Sequence, residues 1–293
     1  MAEPIRVVTD TMMGLKLPDY ARLSPRVATV LGHNPGPFTG PGTNTYVIGT
    51  SSHPILLDTG VGTPKWAELL PIGLKELAKA ERPERIVVTH AHGDHIGGVK
   101  DVTRLCGPVE VLKKPWPVPG PDEVAGVPIT AIDDNATVTT EGATLQAVFT
   151  PGHAPDHLCY YLVEEKALFT GDVILGAGTT VIPDDTGNLG QYMNSLRRLL
   201  TLDVETIYPA HGPVIRNAKQ KIREYIDHRE LRERQVLKAL SDGPLEVPAI
   251  VKKIYVDVPE FLHTAAAQSV RSHLRKLHDE GRVAEDDGIW RIN

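Results

Sequence analysis

Thr89-His90-Ala91-His92-Gly93-Asp94-His95 is the stretch on which the fold turns. Four side chains able to bind a metal fall within six residues, and Ala91 and Gly93 between them are small enough to let imidazoles and carboxylate converge. The apolar run Arg85-Ile86-Val87-Val88-Thr89 leads straight into it. The cluster therefore stands where a strand leaves its sheet, the place at which α/β proteins present their ligands.

Working outward, three more candidate ligands sit in tight turns bounded by Gly or Pro, each after an apolar run. They are His153 in Thr150-Pro151-Gly152-His153, Asp172 in Thr170-Gly171-Asp172, and His211 in Pro209-Ala210-His211-Gly212. Such placement presents a side chain at a strand end rather than inside a strand. Asp58, following Pro54-Ile55-Leu56-Leu57, is a carboxylate suited to orient an imidazole through its second nitrogen.

The surrounding pattern predicts short strands over 26–31, 44–49 and 54–57, then a helix over 64–80, where Trp66, Leu69, Leu70, Leu74, Leu77 and Ala78 recur near the helical period. Strands follow at 85–89, 108–112, 128–132, 144–149, 158–163 and 167–171, a helix at 191–200, and a last short strand at 204–208. This succession suggests sheets inside and helices outside. From about residue 216 the texture becomes helical, with helices over 217–240, 246–256 and 262–280 and a hairpin over 282–292 turning at Asp287-Gly288. Residues 1–215 thus read as a catalytic domain, and 216–293 as a helical linker with a winged-helix-like α+β domain.

Composition narrows the function classes. With 41% apolar and 23% charged residues the chain is an ordinary globular protein. No run reaches the ~18 apolar residues of a membrane span, and Met1-Ala2-Glu3-Pro4-Ile5-Arg6 is not a secretory signal, so a cytoplasmic protein with no membrane partner is expected. Cys106 and Cys159 form no C-x-x-C pair, and there is no Gly-x-Ser-x-Gly elbow or phosphate-binding loop. The net charge of −6 is uneven: residues 216–293 carry 15 Lys or Arg against 13 Asp or Glu, which leaves −8 for residues 1–215. The tail is the better place for an acidic partner, but its interleaved charges read mainly as a solvated helix face.

H-x-H-x-D-H followed in order by His153, Asp172 and His211, with Asp58 upstream, resembles the metallo-β-lactamase superfamily. The chain is similar to the group typified by β-lactamase-like protein 2, which adds a C-terminal winged helix, around Gly42-Thr-Asn-Thr-Tyr46, Tyr192-Met-Asn-Ser-Leu196 and His211-Gly-Pro-Val-Ile215. The resemblance implies an αβ/βα sandwich of two mixed sheets flanked by helices, with two zinc ions per chain. One ion would be held by His90, His92 and His153, the other by Asp94, His95 and His211, with Asp172 between them. It implies hydrolysis by a metal-bridging hydroxide, with Asp94 and Asp58 as catalytic carboxylates. Substrate-facing candidates are His157, four residues beyond His153; Thr179 and Thr180 in the small-residue loop after Asp172; and Phe38 in the Gly/Pro-rich loop 32–44.

The first expectation for the reaction is endoribonuclease cleavage of single-stranded RNA, which the winged tail favours. The second, favoured by the acidic catalytic domain, is hydrolysis of a thioester, ester or β-lactam. A mononuclear iron dioxygenase using only His90, His92 and His153 would leave the second ligand set idle, and a metal-free binding protein would leave all of them unexplained. The oligomeric state is not legible.

Overall fold

The computed structural model describes Met12 and residues 14–256 and 263–293. The expected starts at Met1 and Leu262 lie outside the described residues. The chain forms two compact units, the first of residues 1–149, 156–180 and 203–218, the second of 150–155, 181–202 and 219–293. The second unit thus takes, besides the expected tail, two segments from the middle of the sequence.

The first unit holds two sheets. Seven strands lie side by side in chain order: β1 (Tyr20–Arg22), β2 (Val27–Leu31), β3 (Asn44–Ile48), β4 (Ile55–Leu57), β5 (Arg85–Val87), β6 (Glu110–Lys113) and β7 (Thr130–Ala131). Pairing is antiparallel up to β4 and parallel beyond it. The switch follows from the connections, since parallel neighbours need a crossover. α1 (Pro64–Ala78) joins β4 to β5, and α2 (Gly93–Ile96) with α3 (Val99–Cys106) joins β5 to β6. The second sheet contains β8 (Thr137–Thr140), β9 (Ala143–Phe149), β10 (Leu158–Leu162), β11 (Ala167–Gly171) and β12 (Thr206–Pro209) in the order β12-β11-β10-β9-β8, with only β11 and β12 parallel.

Cover on both faces of the sheet explains why β2 and β4 are buried throughout. Val27, Tyr46, Leu57 and Val87 face one core, shared with Leu145, Tyr160, Phe169 and Tyr208 of the second sheet. Their neighbours Ala28, Val47, Leu56 and Ile86 face the other, against Trp66, Leu70 and Leu74 of α1. Thr63 caps α1 by accepting from Trp66 N at 3.1 Å, Pro64 opens it, and Lys79 closes it in a left-handed turn.

In the second unit, α4 (Leu189–Leu200), α5 (Ala218–Leu240, from Lys219 onward), α6 (Val247–Ile254) and α7 (His263–Asp279) accompany a small sheet of β13 (Leu245–Glu246), β14 (Val283–Asp286) and β15 (Ile289–Ile292). Val236, Leu240, Ile250, Val270, Leu274 and Val283 are among the residues of its core. The β14–β15 hairpin turns at Asp287 (φ 47°) and Gly288 (φ 81°), two successive left-handed residues as a tight hairpin requires. The winged-helix reading of the tail is the fold observed. Among the described residues no helix is long and apolar enough to cross a membrane.

Five elements escape the sequence pattern, α2 and β13 because they are only four and two residues long. β1 and β8 are edge strands whose residues are largely solvated, and α3 is too short to display a period, with only Val99 and Val102 buried. Leu70, fully buried between α1 and the first sheet, carries much of that contact. Leu70→Ala is expected to cost ~2–5 kcal/mol, read as a lower urea midpoint at unchanged slope.

Candidate metal centre

In the first unit, strand ends deliver the site. β4 ends into Asp58, which is fully buried and held in the left-handed region at φ 57°. Its carboxylate accepts from Thr89 N at 2.8 Å, from Thr89 Oγ at 2.9 and 3.1 Å, and from His95 Nδ1 at 2.8 Å. A carboxylate on Nδ1 fixes the proton there and makes Nε2 the nitrogen that can donate to a metal.

His95 Nε2 lies 3.5 Å from Asp94 and 3.4 Å from Asp172, and His211 Nε2 lies 3.2 and 3.1 Å from the same two carboxylates. Donor atoms of Asp94, His95 and His211 converge within 4.8 Å of one another, as do those of His90, His95 and Asp172. His90 Nε2 is 2.9 Å from His92 Nδ1, and Thr89 Oγ is 3.0 Å from His90 Nδ1. Among the described residues the buried His95 Nε2 has no hydrogen-bond partner, although carboxylates flank it at 3.4 and 3.5 Å. A desolvated imidazole nitrogen facing two carboxylates is what a metal position looks like before the cation is added. The donor set, all imidazole and carboxylate, fits zinc or iron.

Protons hold that arrangement together in the chain by itself. Burial opposes charge on His95, but Asp94, Asp172 and Asp58 outweigh it and raise its pKa well above the usual range. Burial likewise works against His211, yet Asp172 and Asp94 push it up to about 9. Burial would lift Asp94, but His95 and His211 bring it down to about 2; Asp172, also buried, is held well below the carboxylate range by His211 and His95.

His153 lies in the segment 150–155 of the second unit, where the nearby contacts that define its tautomer are found. Its Nδ1 donates to the Val181 carbonyl at 2.7 Å, which again assigns Nε2 as the ligating nitrogen. Gly152 before it has φ 130° and its would-be Cβ lies 2.3 Å from Tyr192 N, so no other residue fits. Asn188 N donates to Gly152 O at 2.8 Å and Ser195 Oγ to Pro151 O at 2.8 Å, so the start of α4 holds the turn.

The substrate-facing candidates separate. His157 is fully buried, its Nε2 accepts from Asp172 N at 3.2 Å, and its ring lies 4.8 Å from that of His90, so it supports ligands from beneath. Thr180 is buried at 3% exposure, whereas Thr179 and Phe38 are exposed. Several supporting residues are not apparent from sequence alone. Lys113, buried completely, pairs with Asp156 and with Asp122 at 2.7 Å, and Asp156 accepts from Ala91 N at 2.9 Å. Trp116 stands 6.2 Å from the His92 ring. Asn44 Nδ2 donates to Pro209 O and Gly212 O, and Tyr46 Oη to Pro209 O, clamping the His211 turn. The only sequence hint of these was Asp156 beside His157 and the Gly42–Tyr46 motif.

The model of the metallo-beta-lactamase superfamily matches residues 38–211, and that of the beta-lactamase associated winged helix domain matches 247–290. The chain is 42% identical over 269 residues to a beta-lactamase-like protein 2 homolog of Caenorhabditis elegans, covering 89% of this chain and 87% of that protein. It is 39% identical over 278 residues to an atrochrysone carboxyl ACP thioesterase of Claviceps purpurea, covering 92% and 85%. A beta-lactamase domain protein from Burkholderia ambifaria superposes with TM-score 0.81 at 19% identity, covering 97% of each chain.

Two outcomes are expected. Asp58→Asn, which takes the anion from His95 Nδ1, should weaken binding of the ion beside His95 by about 10–100-fold in chelator competition, with circular dichroism unchanged. In chelator-treated protein, the His211 contribution is complete below its unfolded pKa of 6.5 and disappears as pH rises through about 9. The urea midpoint should therefore fall over that interval, and metal affinity should rise as the proton leaves.

Proposed function

From its membership of the metallo-β-lactamase superfamily, with the winged helix associated with it, we propose that this hydrolase cleaves acyl thioesters and uses two zinc ions. His90, His92 and His153 are the proposed ligands of one ion and Asp94, His95 and His211 of the other, with Asp172 shared. Bound there, the pair supplies Lewis-acid polarisation of a carbonyl and acidification of water. The chain's own part is orientation. Asp58 fixes the His95 tautomer, the Val181 carbonyl that of His153, and the Asp156–Lys113 pair holds the backbone at Ala91 between His90 and His92. Asp94, ionised through the neutral range, offers an acceptor that aligns an attacking water. Three residues of chain span at most ~11 Å, so His153 cannot stray far from Asp156, which bonds the ligand loop.

The observation that favours a thioester over RNA is the fate of the cations on α7. Arg271 Nε binds Asp184 at 3.0 Å with Arg275 beside it at 3.4 Å, and Lys276 binds Glu233 at 2.6 Å and Glu280 at 2.7 Å. In a nucleic-acid-binding winged helix this helix offers its cations to phosphates; here acids of the same unit engage them. The thioesterase name of one relative points the same way. A thiolate, whose acid has a pKa of ~8.5, departs without a proton donor from the protein. Single-stranded RNA cleavage is the second reading, supported by the winged-helix fold itself.

The test is release of thiol from an acyl-phosphopantetheine thioester, run beside a fluorogenic single-stranded RNA, with metal content by plasma mass spectrometry. Thiol release by a two-zinc protein, reduced ~10³-fold or more in His95→Ala, is expected. RNA cleavage without thiol release would establish the second reading, and one iron per chain would overturn both.

A further inference from the structure

Within the first unit, the loop that follows β6 brings an indole to the candidate centre. The Trp116 ring centroid lies 6.2 Å from that of His92, with the two planes at 47°. His90 and His157 are buried completely, whereas His92 and Trp116 are each partly exposed. The indole therefore extends the solvent-facing rim of the ligand set and not its floor. Among the described residues Trp116 belongs to neither apolar core of this unit, so core packing does not account for its place.

The chain holds the indole there by local means. The loop reads Lys114-Pro115-Trp116-Pro117-Val118-Pro119-Gly120-Pro121, with a proline at every second position. Each proline fixes its own φ near about −65° and biases the residue before it toward extended backbone, so Trp116 is restricted from both sides. Trp116 N donates to Asp122 Oδ2 at 2.8 Å. Asp122 pairs with Lys113 at 2.7 Å, and Lys113 pairs with Asp156, the carboxylate that accepts from Ala91 N between His90 and His92. Lys114, on the other flank, pairs with Asp133 at 2.7 Å and lies over the Phe149 ring at 4.6 Å. The loop bearing Trp116 and the turn bearing His92 are thus tied to one ion-pair group, which sets indole against ligand.

We propose that Trp116 is a specificity-determining residue, whose indole walls the acyl side of the substrate and favours thioesters of aromatic or extended apolar acyl groups over acetyl. This rests on the thioester reading. Of the two halves of such a substrate, the pantetheine arm carries amides and a phosphate, so the acyl half is the one an indole can cover. A ring borne on a carbonyl that is attacked beside His92 falls within the ~4.5–7 Å at which aromatic rings pair. A wall fixed beforehand by proline and Asp122 costs little ordering when the substrate arrives.

The test compares benzoyl and acetyl thioesters of phosphopantetheine on the zinc-loaded full chain, each rate divided by that thioester's rate of alkaline hydrolysis. Wild type should favour benzoyl by at least ~10-fold in kcat/KM, and Trp116→Ala should bring the preference to about 2-fold or less by raising KM for benzoyl alone. Trp116→Phe, which restores an aromatic ring, should recover most of it. A wild type without acyl preference, or an alanine variant that slows both substrates equally, would overturn the proposal. So would loss of zinc from Trp116→Ala in chelator competition, which would make the indole a mere support for His92. If wild type hydrolyses neither thioester, the thioester reading fails by itself, and calorimetric binding of benzoate and acetate decides the wall. A benzoate preference that disappears in Trp116→Ala upholds it; equal affinities sink it.

Discussion

A buried carboxylate has to be hydrogen-bonded from several sides, and Asp58 meets that demand by drawing Thr89 and His95 onto itself. Three chain segments are fixed at once: the end of β4, the end of β5, and the short helix that carries His95. The left-handed backbone at Asp58 is the local cost of turning its side chain inward, and it persists because those hydrogen bonds over-determine it. Everything at the centre, from the tautomer of His95 to the approach of Asp94 and Asp172, is arranged around that carboxylate.

The two units deal with buried charge in opposite ways. In the first, acids and imidazoles alternate, so protons can neutralise the group and metals can replace the protons. The Lys113–Asp156 pair beneath it is closed on itself and acts through the backbone at Ala91. In the second unit, α5 and α7 bring basic side chains together, and burial with Arg229 and Arg232 keeps the His228 and His273 rings neutral.

How much of this could be read beforehand depended on where the chemistry is local. The ligand cluster at residues 90–95 and the turns bearing His153, Asp172 and His211 were legible because residue type, spacing and strand ends coincide. The hairpin at Asp287-Gly288 was legible because that dipeptide tolerates the left-handed backbone both positions adopt. Depth was not legible: His157 reads as a cleft residue from its spacing but lies beneath the ligands, since nothing local tells which side of a turn is solvated. Lys113 drew no reading from the sequence, because its burial goes with Asp122 and Asp156, which lie apart from it in the chain. The allegiance of residues 150–155 and 181–202 to the winged unit is likewise a tertiary fact, carried by contacts such as Asn188 to Gly152 and Arg271 to Asp184.

That allegiance bears on how such a protein can change over evolutionary time. A module attached by one linker can be lost, duplicated or exchanged in a single recombination event. Here the chain passes between the units at 149/150, 155/156, 180/181, 202/203 and 218/219. A crossover near residue 215 would bring in a new wing while leaving behind the segments that belong with the old one. Inheritance of the two parts as one block, with insertions confined to the loops, is the path such interlacing leaves open.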